Sequence, residues 1–429
     1  MFGFANFLLL ALFAAAVFDL IFALARGSGL RGALHGLWNT PHLLFGQQLA
    51  EWRLQLGRIL FAAGLAAYEI SVVFCNSMAR QNWAWVQGVM SPVLEWLAFL
   101  CFGAKILFGT RYTWRELLAG GALYFIARWV YFNSQNIWWI GIVVAVLAAK
   151  DVPLRRPLQV YFASGCAAMA VVLALHFAGI VAPDLTSERM GALRGTYGYG
   201  HPNTFGGLVF GLVLAYALLR AQKVRWVDCL LVFAIGVFLL VGPASRSAAL
   251  CTLALAVGLV FCRLRAGHSV PRWWPGTCAG MVGLTAAVSY LLPLLVIKVG
   301  PWNNDIGPAW LAKLDSLLTC RISLTWMAYR LLDVKIAGQV FNWPTVDNSF
   351  AFALFQFGPV VAALLGILFA AALWGHAKQG RRVEVCCLFA MLAYAYMEVQ
   401  PFHLTTNPTA LLLCGAVFAQ TSARWQKIE

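Results

Sequence analysis

The chain has 429 residues, of which 62% are hydrophobic and only 11% are charged, and its formal net charge is +15. A soluble surface cannot accommodate so many apolar side chains, among them 18 Trp and 30 Phe, so the composition excludes a soluble protein. The sequence predicts an all-α, polytopic integral membrane protein that forms a single transmembrane domain over residues 1–429.

Apolar runs of about 20 residues each predict about 13 transmembrane helices, within a range of about 12 to 14. The predicted spans are 3–25, 57–79, 91–109, 117–132, 136–149, 158–182, 203–219, 227–243, 247–262, 277–297, 348–374, 384–399 and 408–420. The first lacks a basic leading region and a small-residue cleavage site, which indicates a retained span rather than a signal peptide.

Lysine and arginine cluster on alternate loops. Seven clusters hold 21 of the 31 basic residues, namely Arg26/Arg31/Arg53/Arg58, Lys105/Arg111/Arg115, Lys150/Arg155/Arg156, Arg220/Lys223/Arg225, Arg263/Arg265/Arg272, Lys378/Arg381/Arg382 and Arg424/Lys427. The positive-inside rule predicts that these loops are cytoplasmic. The C-terminus is then cytoplasmic, and an odd number of spans places the N-terminus outside. The net charge is thus a topology signal and implies no nucleic-acid partner.

The most polar stretch at a span end runs from Arg194 through Gly-Thr-Tyr-Gly-Tyr-Gly-His-Pro to Asn203 and continues as Thr-Phe-Gly-Gly. Its glycines permit turn conformations, and Pro202 has a fixed φ and no N–H, so the chain is predicted to turn just before Asn203. A helix is predicted to begin there. Asn is a favoured N-cap, so a capped turn is the alternative to a binding role.

A second polar turn, Val241-Gly-Pro-Ala-Ser-Arg-Ser247, connects two apolar spans. It places Arg246 at membrane depth or at the rim of the membrane. A charge in that position usually has a functional role, although a cation that snorkels to the interface is the alternative.

The loop 299–347 is the only long one, and it is predicted to be extracytoplasmic. After Pro308, apolar residues recur at three- and four-residue steps as far as Ile336, which predicts an amphipathic helix on the membrane surface. Arg321 flanks this apolar stripe, as either a headgroup contact or a ligand-binding residue. The loop closes with Val346-Asp347-Asn348-Ser349, where Asp347 or Asn348 either caps the next helix or contributes to a site.

These polar residues are predicted to share one membrane face. The set comprises His201, Asn203, Arg194, Arg246, Arg321 and Asp347. Three arginines with a histidine and a carboxylate suit a doubly charged phosphate ester, because Arg binds phosphate oxygens bidentately. The 11 Cys show no C-x-x-C spacing and the histidines are scattered, so no metal site is predicted. A phosphate-binding G-x-x-x-x-G-K-[ST] motif is also absent, and no cofactor is expected.

The order of these motifs resembles that of the bacterial Wzy-type polysaccharide polymerases, within the superfamily of O-antigen ligases and polymerases. The likeness covers residues 150–358. It rests on an Arg followed by Gly-Tyr-Gly-His-Pro-Asn, a later Ser-Arg-Ser turn, an Arg-bearing helix in a long outer loop, and Val-Asp-Asn-Ser.

The resemblance implies a metal-independent glycosyltransferase in a bacterial cytoplasmic membrane. Such an enzyme transfers a glycan from a polyprenyl-diphosphate-linked oligosaccharide to an acceptor sugar at the outer face, with membrane lipids and a chain-length regulator as further partners. The implied ligands of diphosphate and sugars are Arg194, Arg246, Arg321, Asn203, Asn348 and Tyr199. His201 and Asp347 are the implied catalytic residues. His201 is preferred as the base because the pKa of an unperturbed His lies near working pH.

Two alternatives share these features. A ligase that transfers finished glycan to another acceptor would use the same donor site. A flippase or exporter of lipid-linked glycans would also have many spans and inward-facing cations, but the sequence shows no paired, repeated halves with Gly- or Pro-broken helices.

Overall fold

The chain is mostly helical in the computed structural model, which describes residues 2–26, 29–45, 50–181, 187–189, 192–296 and 307–418. The helices of the first half are α1 Phe2–Ala25, α2 Leu30–Asn39, α3 Ala50–Cys75, α4 Ala79–Asn82, α5 Ser91–Phe108, α6 Trp114–Ser134, α7 Ile137–Ala148, α8 Arg155–Phe177 and α9 Pro202–Leu219. Those of the second half are α10 Trp226–Val241, α11 Arg246–Leu264, α12 Trp274–Leu291, α13 Ala309–Leu317, α14 Arg321–Leu331, α15 Ser349–Phe352, α16 Pro359–Lys378, α17 Arg382–Met397 and α18 Cys414–Val417.

Shorter elements complete the fold. A π-helix, Val86–Met90, leads into α5, and a second, Ala353–Phe357, follows α15. Segments of 3₁₀-helix are Leu292–Leu295, Gln400–Phe402 and Pro408–Leu413. Strands β1 His42–Leu43 and β2 Arg111–Tyr112 pair antiparallel, as do β3 Ser187–Arg189 and β4 Ala192–Arg194.

Eight helical segments of the described chain are long and apolar enough to cross a membrane, which agrees with an all-α membrane protein. They are Gly3–Ala25, Glu51–Cys75, Val86–Phe108, Arg155–Phe177, Pro202–Leu219, Arg246–Leu264, Trp274–Leu295 and Pro359–Lys378. The other predicted spans coincide with α6, α7, α10, α17 and the segment Pro408–Val417, which are shorter or more polar. The total of about 13 spans stays a prediction.

The predicted span 348–374 is not one continuous helix. The π-helix ends at Phe357, and Gly358 adopts φ +88°, a conformation that side chains with a Cβ rarely take. Pro359 then starts α16 as its first residue. The polar end of the predicted span therefore belongs to a short separate helix.

The amphipathic helix predicted after Pro308 is also divided in two. α13 ends at Leu317, and α14 begins at Arg321. Thr319 and Cys320 between them have φ values of 58° and 63°, which no α-helix can contain. The break turns α14 and brings Arg321 to the start of a helix.

Close packing around α9 positions the polar turns. An added Cβ on Gly206 would clash with Ser245, on Gly207 with Gln400, and on Gly211 with the backbone of Thr405. Only glycine at these positions allows so close an approach. The Phe-Gly-Gly sequence after Asn203 thus presses α9 against the turn before α11 and the segment after α17.

The helical bundle has two polar ends, the site face and the basic face. The site face carries residues 194–203, 242–246 and 398–403, which contact one another. The basic face carries the connections 109–113, 149–154, 220–225, 265–273 and 379–381 at the other ends of the same helices. The basic clusters that lie within the described residues therefore converge at one end of the bundle, while the predicted cluster Arg424/Lys427 lies outside those residues.

Candidate functional site

The polar turn before α9 ends in a histidine cap. α9 begins at Pro202, and the extended backbone of His201 (φ −152°, ψ 141°) lets its Nδ1 accept the Asn203 N–H at 3.1 Å. The predicted helix start at Asn203 is one residue late, and the alternative in which Asn203 caps the helix is not observed. Proline suits the first helical position because it lacks an N–H and has a helical φ, so the cap is the residue before it. The Asn203 side chain is left to make other contacts.

Asn203 bridges three parts of the chain. Its Oδ1 accepts a hydrogen bond from Arg194 Nη2 at 2.9 Å, and its Nδ2 donates to Glu398 Oε1 at 3.1 Å. Its backbone oxygen accepts from Gln400 Nε2 at 3.1 Å. An amide can do this because it combines a donor and an acceptor on one planar group. Asn203 thus joins the predicted Arg194 to a carboxylate that the sequence analysis did not include.

Glu398, the residue after α17, is at the centre of the site. Its side chain is buried, and its Oε1 accepts from Arg321 Nη2 at 2.6 Å and from Ser247 Oγ at 2.9 Å. The sequence analysis missed it because it closes an apolar span. One signal was available: it is the only carboxylate between Glu384 and Glu429, and an ionisable residue at a span end is a candidate site residue.

Arg321 is buried rather than exposed to lipid headgroups, with 7% of the residue accessible. Its Nη1 donates to Leu318 O at 2.9 Å and to Thr319 Oγ1, and its Nε donates to Met397 O. With the contact to Glu398, each nitrogen of the guanidinium group has a partner in the protein. A guanidinium exposed to headgroups is therefore not observed, and a ligand-binding role for Arg321 stays a prediction, because the same contacts use every nitrogen of the group.

Asp347 and Asn348 have different environments. Asn348 is buried and caps α15: its Oδ1 accepts the N–H groups of the next helical turn at 2.9 and 3.1 Å, and its Nδ2 donates to Ser289 Oγ at 3.2 Å. The capping interpretation is thus confirmed for Asn348. Asp347 makes no cap; its Oδ2 lies 3.9 Å from Arg321 Nη2, and its side chain is 30% exposed. It is the accessible carboxylate of the site.

The other predicted residues divide by exposure. Arg246, the first residue of α11, and His201 are both exposed at the site face, next to the Ser247 and Asn203 contacts. Tyr199 is fully buried, and its backbone pairs with Ser77. Burial raises the pKa of the Tyr199 phenol, which therefore stays protonated. Arg246 and His201 are therefore accessible from solvent, whereas Tyr199 is not.

The site combines opposite charges but is positive as a whole. Arg194, Arg246 and Arg321 outnumber the carboxylates Glu398 and Asp347. The arginines lie around two carboxylates, the buried Glu398 and the partly exposed Asp347. Such an arrangement attracts an anionic ligand to the surface and holds its own cations in fixed positions. Within the described residues, no group of three or more His, Cys, Asp or Glu side chains could hold a metal ion.

No known protein family, curated protein or solved structure matches the chain. The resemblance of its motifs to the Wzy-type polymerases therefore stays a prediction.

Proposed function

We propose that the protein is a membrane glycosyltransferase that polymerises polyprenyl-diphosphate-linked oligosaccharide repeat units at the outer face of a bacterial cytoplasmic membrane. The observation that carries this proposal is the positive site opposite the basic face, with exposed Arg246 and His201 beside the buried Arg321–Glu398 pair. Its position at helix ends suits a donor whose lipid lies in the membrane and whose sugars lie in water.

The charge requirement of the reaction fits this site. Breaking the bond between an anomeric carbon and a diphosphate builds negative charge on the leaving group, and fixed guanidinium groups stabilise that charge without reorganising. Arg246 is the exposed arginine and would contact the diphosphate first. Arg194 and Arg321, held by Asn203 and Glu398, would supply a positive field beneath it.

The attacking sugar hydroxyl needs a proton acceptor. His201 Nδ1 accepts the Asn203 N–H, so in neutral His201 the other nitrogen, Nε2, carries the proton and is a donor. This tautomer suits a hydrogen bond to a phosphate or sugar oxygen. The partly exposed Asp347 carboxylate has acceptor oxygens toward solvent. We therefore place Asp347 as the base and His201 as a ligand, the reverse of the order that the sequence analysis prefers.

Reconstitution with a lipid-linked repeat unit tests the proposal. The purified protein should yield products longer than one repeat and release one polyprenyl diphosphate for each new glycosidic bond. Release that depends on a different acceptor would identify a ligase. Movement of the lipid across the bilayer with no bond broken would identify a flippase and contradict the proposal.

A further inference from the structure

A large cavity opens at the basic face, far from the site described above. Its volume is about 620 Å³, and it lies among the ends of α8, α9, α11 and α17. The cationic residues that line it are Arg155, Lys223, Arg263, Arg381 and Arg382, whereas Glu384 is the only carboxylate in its lining. We call it the basic cavity. Its volume is within the range of about 300–1,000 Å³ that is typical of ligand pockets.

The cations come from four separate clusters of the sequence. Arg155 starts α8, Lys223 follows α9, Arg263 lies in the last turn of α11, and the Arg381–Arg382 pair is at the start of α17, so each comes from a different connection of the bundle. The positive-inside rule accounts for the positive charge of each connection, but it does not require these charges to meet around one cavity. Their convergence therefore needs a second explanation.

The hydrogen bonds of these cations show which of them hold the fold together and which can bind a ligand. Arg382 has a structural role, since its Nη1 donates to Arg265 O at 2.7 Å and its Nη2 to Ser269 O at 3.4 Å. By contrast, within the described part of the chain the side chains of Arg155, Lys223 and Arg263 form no hydrogen bond or ion pair. These three charges face the cavity or its mouth, and none of them forms an ion pair with Glu384, the one carboxylate of the lining.

Two helix N-termini add to the positive potential. α8 begins at Arg155 and α17 begins at Arg382, so both helices present their N-terminal ends beside the cavity. Unpaired backbone N–H groups and the helix dipole favour an anion at such an end. Together with the three unpaired cations, they favour a compact ligand with more than one negative charge.

We propose that the basic cavity binds a phosphate-bearing anion. The phosphate belongs either to the headgroup of an anionic membrane lipid or to a soluble phosphate compound, and both sources present the same oxygens to the cavity. This inference does not depend on the proposed transferase activity, because the cavity and the site occupy opposite ends of the bundle.

Binding of inorganic diphosphate tests the proposal. The protein is placed in nanodiscs of zwitterionic phosphatidylcholine and titrated calorimetrically, in an Arg246→Gln background that weakens binding at the site face. Saturable binding is expected, and Lys223→Gln and Arg263→Gln should each weaken it about tenfold, the usual effect of losing a hydrogen bond to a charged group. Arg272→Gln is the matched control, since this exposed residue of the same loop cluster does not line the cavity.

A second arm identifies the source of the phosphate. Native mass spectrometry of protein from membranes that contain phosphatidylglycerol should show this lipid bound if the ligand is a headgroup, and the Lys223→Gln/Arg263→Gln variant should lose it. Diphosphate binding without retained lipid indicates a soluble ligand. The proposal is overturned if neither diphosphate nor anionic lipid binds, or if Arg272→Gln weakens binding as much as the cavity variants do.

Discussion

Arg321 Nη2 lies 2.6 Å from Glu398 Oε1, and both side chains are buried. The pair joins the start of α14 to the end of α17. Ser349 Oγ also donates to the Glu398 backbone oxygen at 2.5 Å, so α15 meets the same residue. Three elements that are distant in sequence therefore meet at residue 398, and the Glu398 carboxylate holds the start of α14.

Removing the glutamate should destabilise the fold. Glu398→Ala leaves the buried Arg321 charge with only the long 3.9 Å contact to Asp347, and breaking a buried pair costs about 3–5 kcal/mol. We expect a loss of this size in the free energy of unfolding, measured by denaturant titration of the purified protein in detergent micelles. Arg321→Ala/Glu398→Ala should lose clearly less than the two single variants together. Strict additivity would mean that the two side chains are not energetically coupled.

Substituting lysine for arginine should have different effects at the exposed Arg246 and at the buried Arg321. Arg246→Lys retains charge at an exposed position, so stability should be unchanged, while polymer length and rate should fall because an ammonium cannot bind two phosphate oxygens as a fork. Arg321→Lys should lose both stability and activity, because its contacts to Glu398 and Leu318 need the guanidinium geometry. Arg330, an exposed residue in the last turn of α14, provides the control as Arg330→Lys. Full activity of Arg246→Lys at equal protein level would remove Arg246 from the donor site.

Hydropathy predicted most helices, because a bilayer imposes the same length on every apolar span. It missed the break at Gly358, because hydropathy averages over a whole window and does not register the Gly358-Pro359 dipeptide, a pair that commonly interrupts a helix. The division of the loop helix at Thr319 and Cys320 was equally hidden, because neither residue is a usual helix terminator.

At the site, the sequence predicted which residues lie together but not how they are paired. Arg194, Asn203, Arg321 and Asp347 do meet at one face. Glu398, the residue that connects them, was assigned to the end of an apolar span. The helix start was misplaced by one residue because the preference of Asn for capping outweighed that of Pro for the first helical position.

A native cysteine tests which side of the membrane the site face occupies. Cys320 is exposed on the loop beside Arg321, so an impermeant maleimide should label it in intact cells if that face is outside. Cys320→Asn should abolish the signal and retain the fold, because Asn tolerates the left-handed backbone at this position. Gln222→Cys in that background, on the basic face, should react only after permeabilisation. Labelling of Gln222→Cys in intact cells would reverse the orientation.

His201 and Asp347 can be distinguished by steady-state kinetics on the lipid-linked donor. Asn is a better N-cap than Ala, so His201→Asn should keep the start of α9 while removing the imidazole, and His201→Ala should lose about 1 kcal/mol of stability in addition.

If His201 is a ligand, His201→Asn should mainly raise the KM for the donor. Asp347→Asn should keep the shape of the side chain and the KM but lower kcat by about 10² to 10⁴, the usual contribution of a positioned base. The Asp347 effect should not come from destabilisation, because its 3.9 Å contact with Arg321 is long and partly exposed. The opposite pattern, with kcat lost in His201→Asn and retained in Asp347→Asn, would make the imidazole the base. To act as a base through Nε2, His201 would need the tautomer that is protonated on Nδ1. It would then lose the hydrogen bond that Nδ1 accepts from the Asn203 N–H.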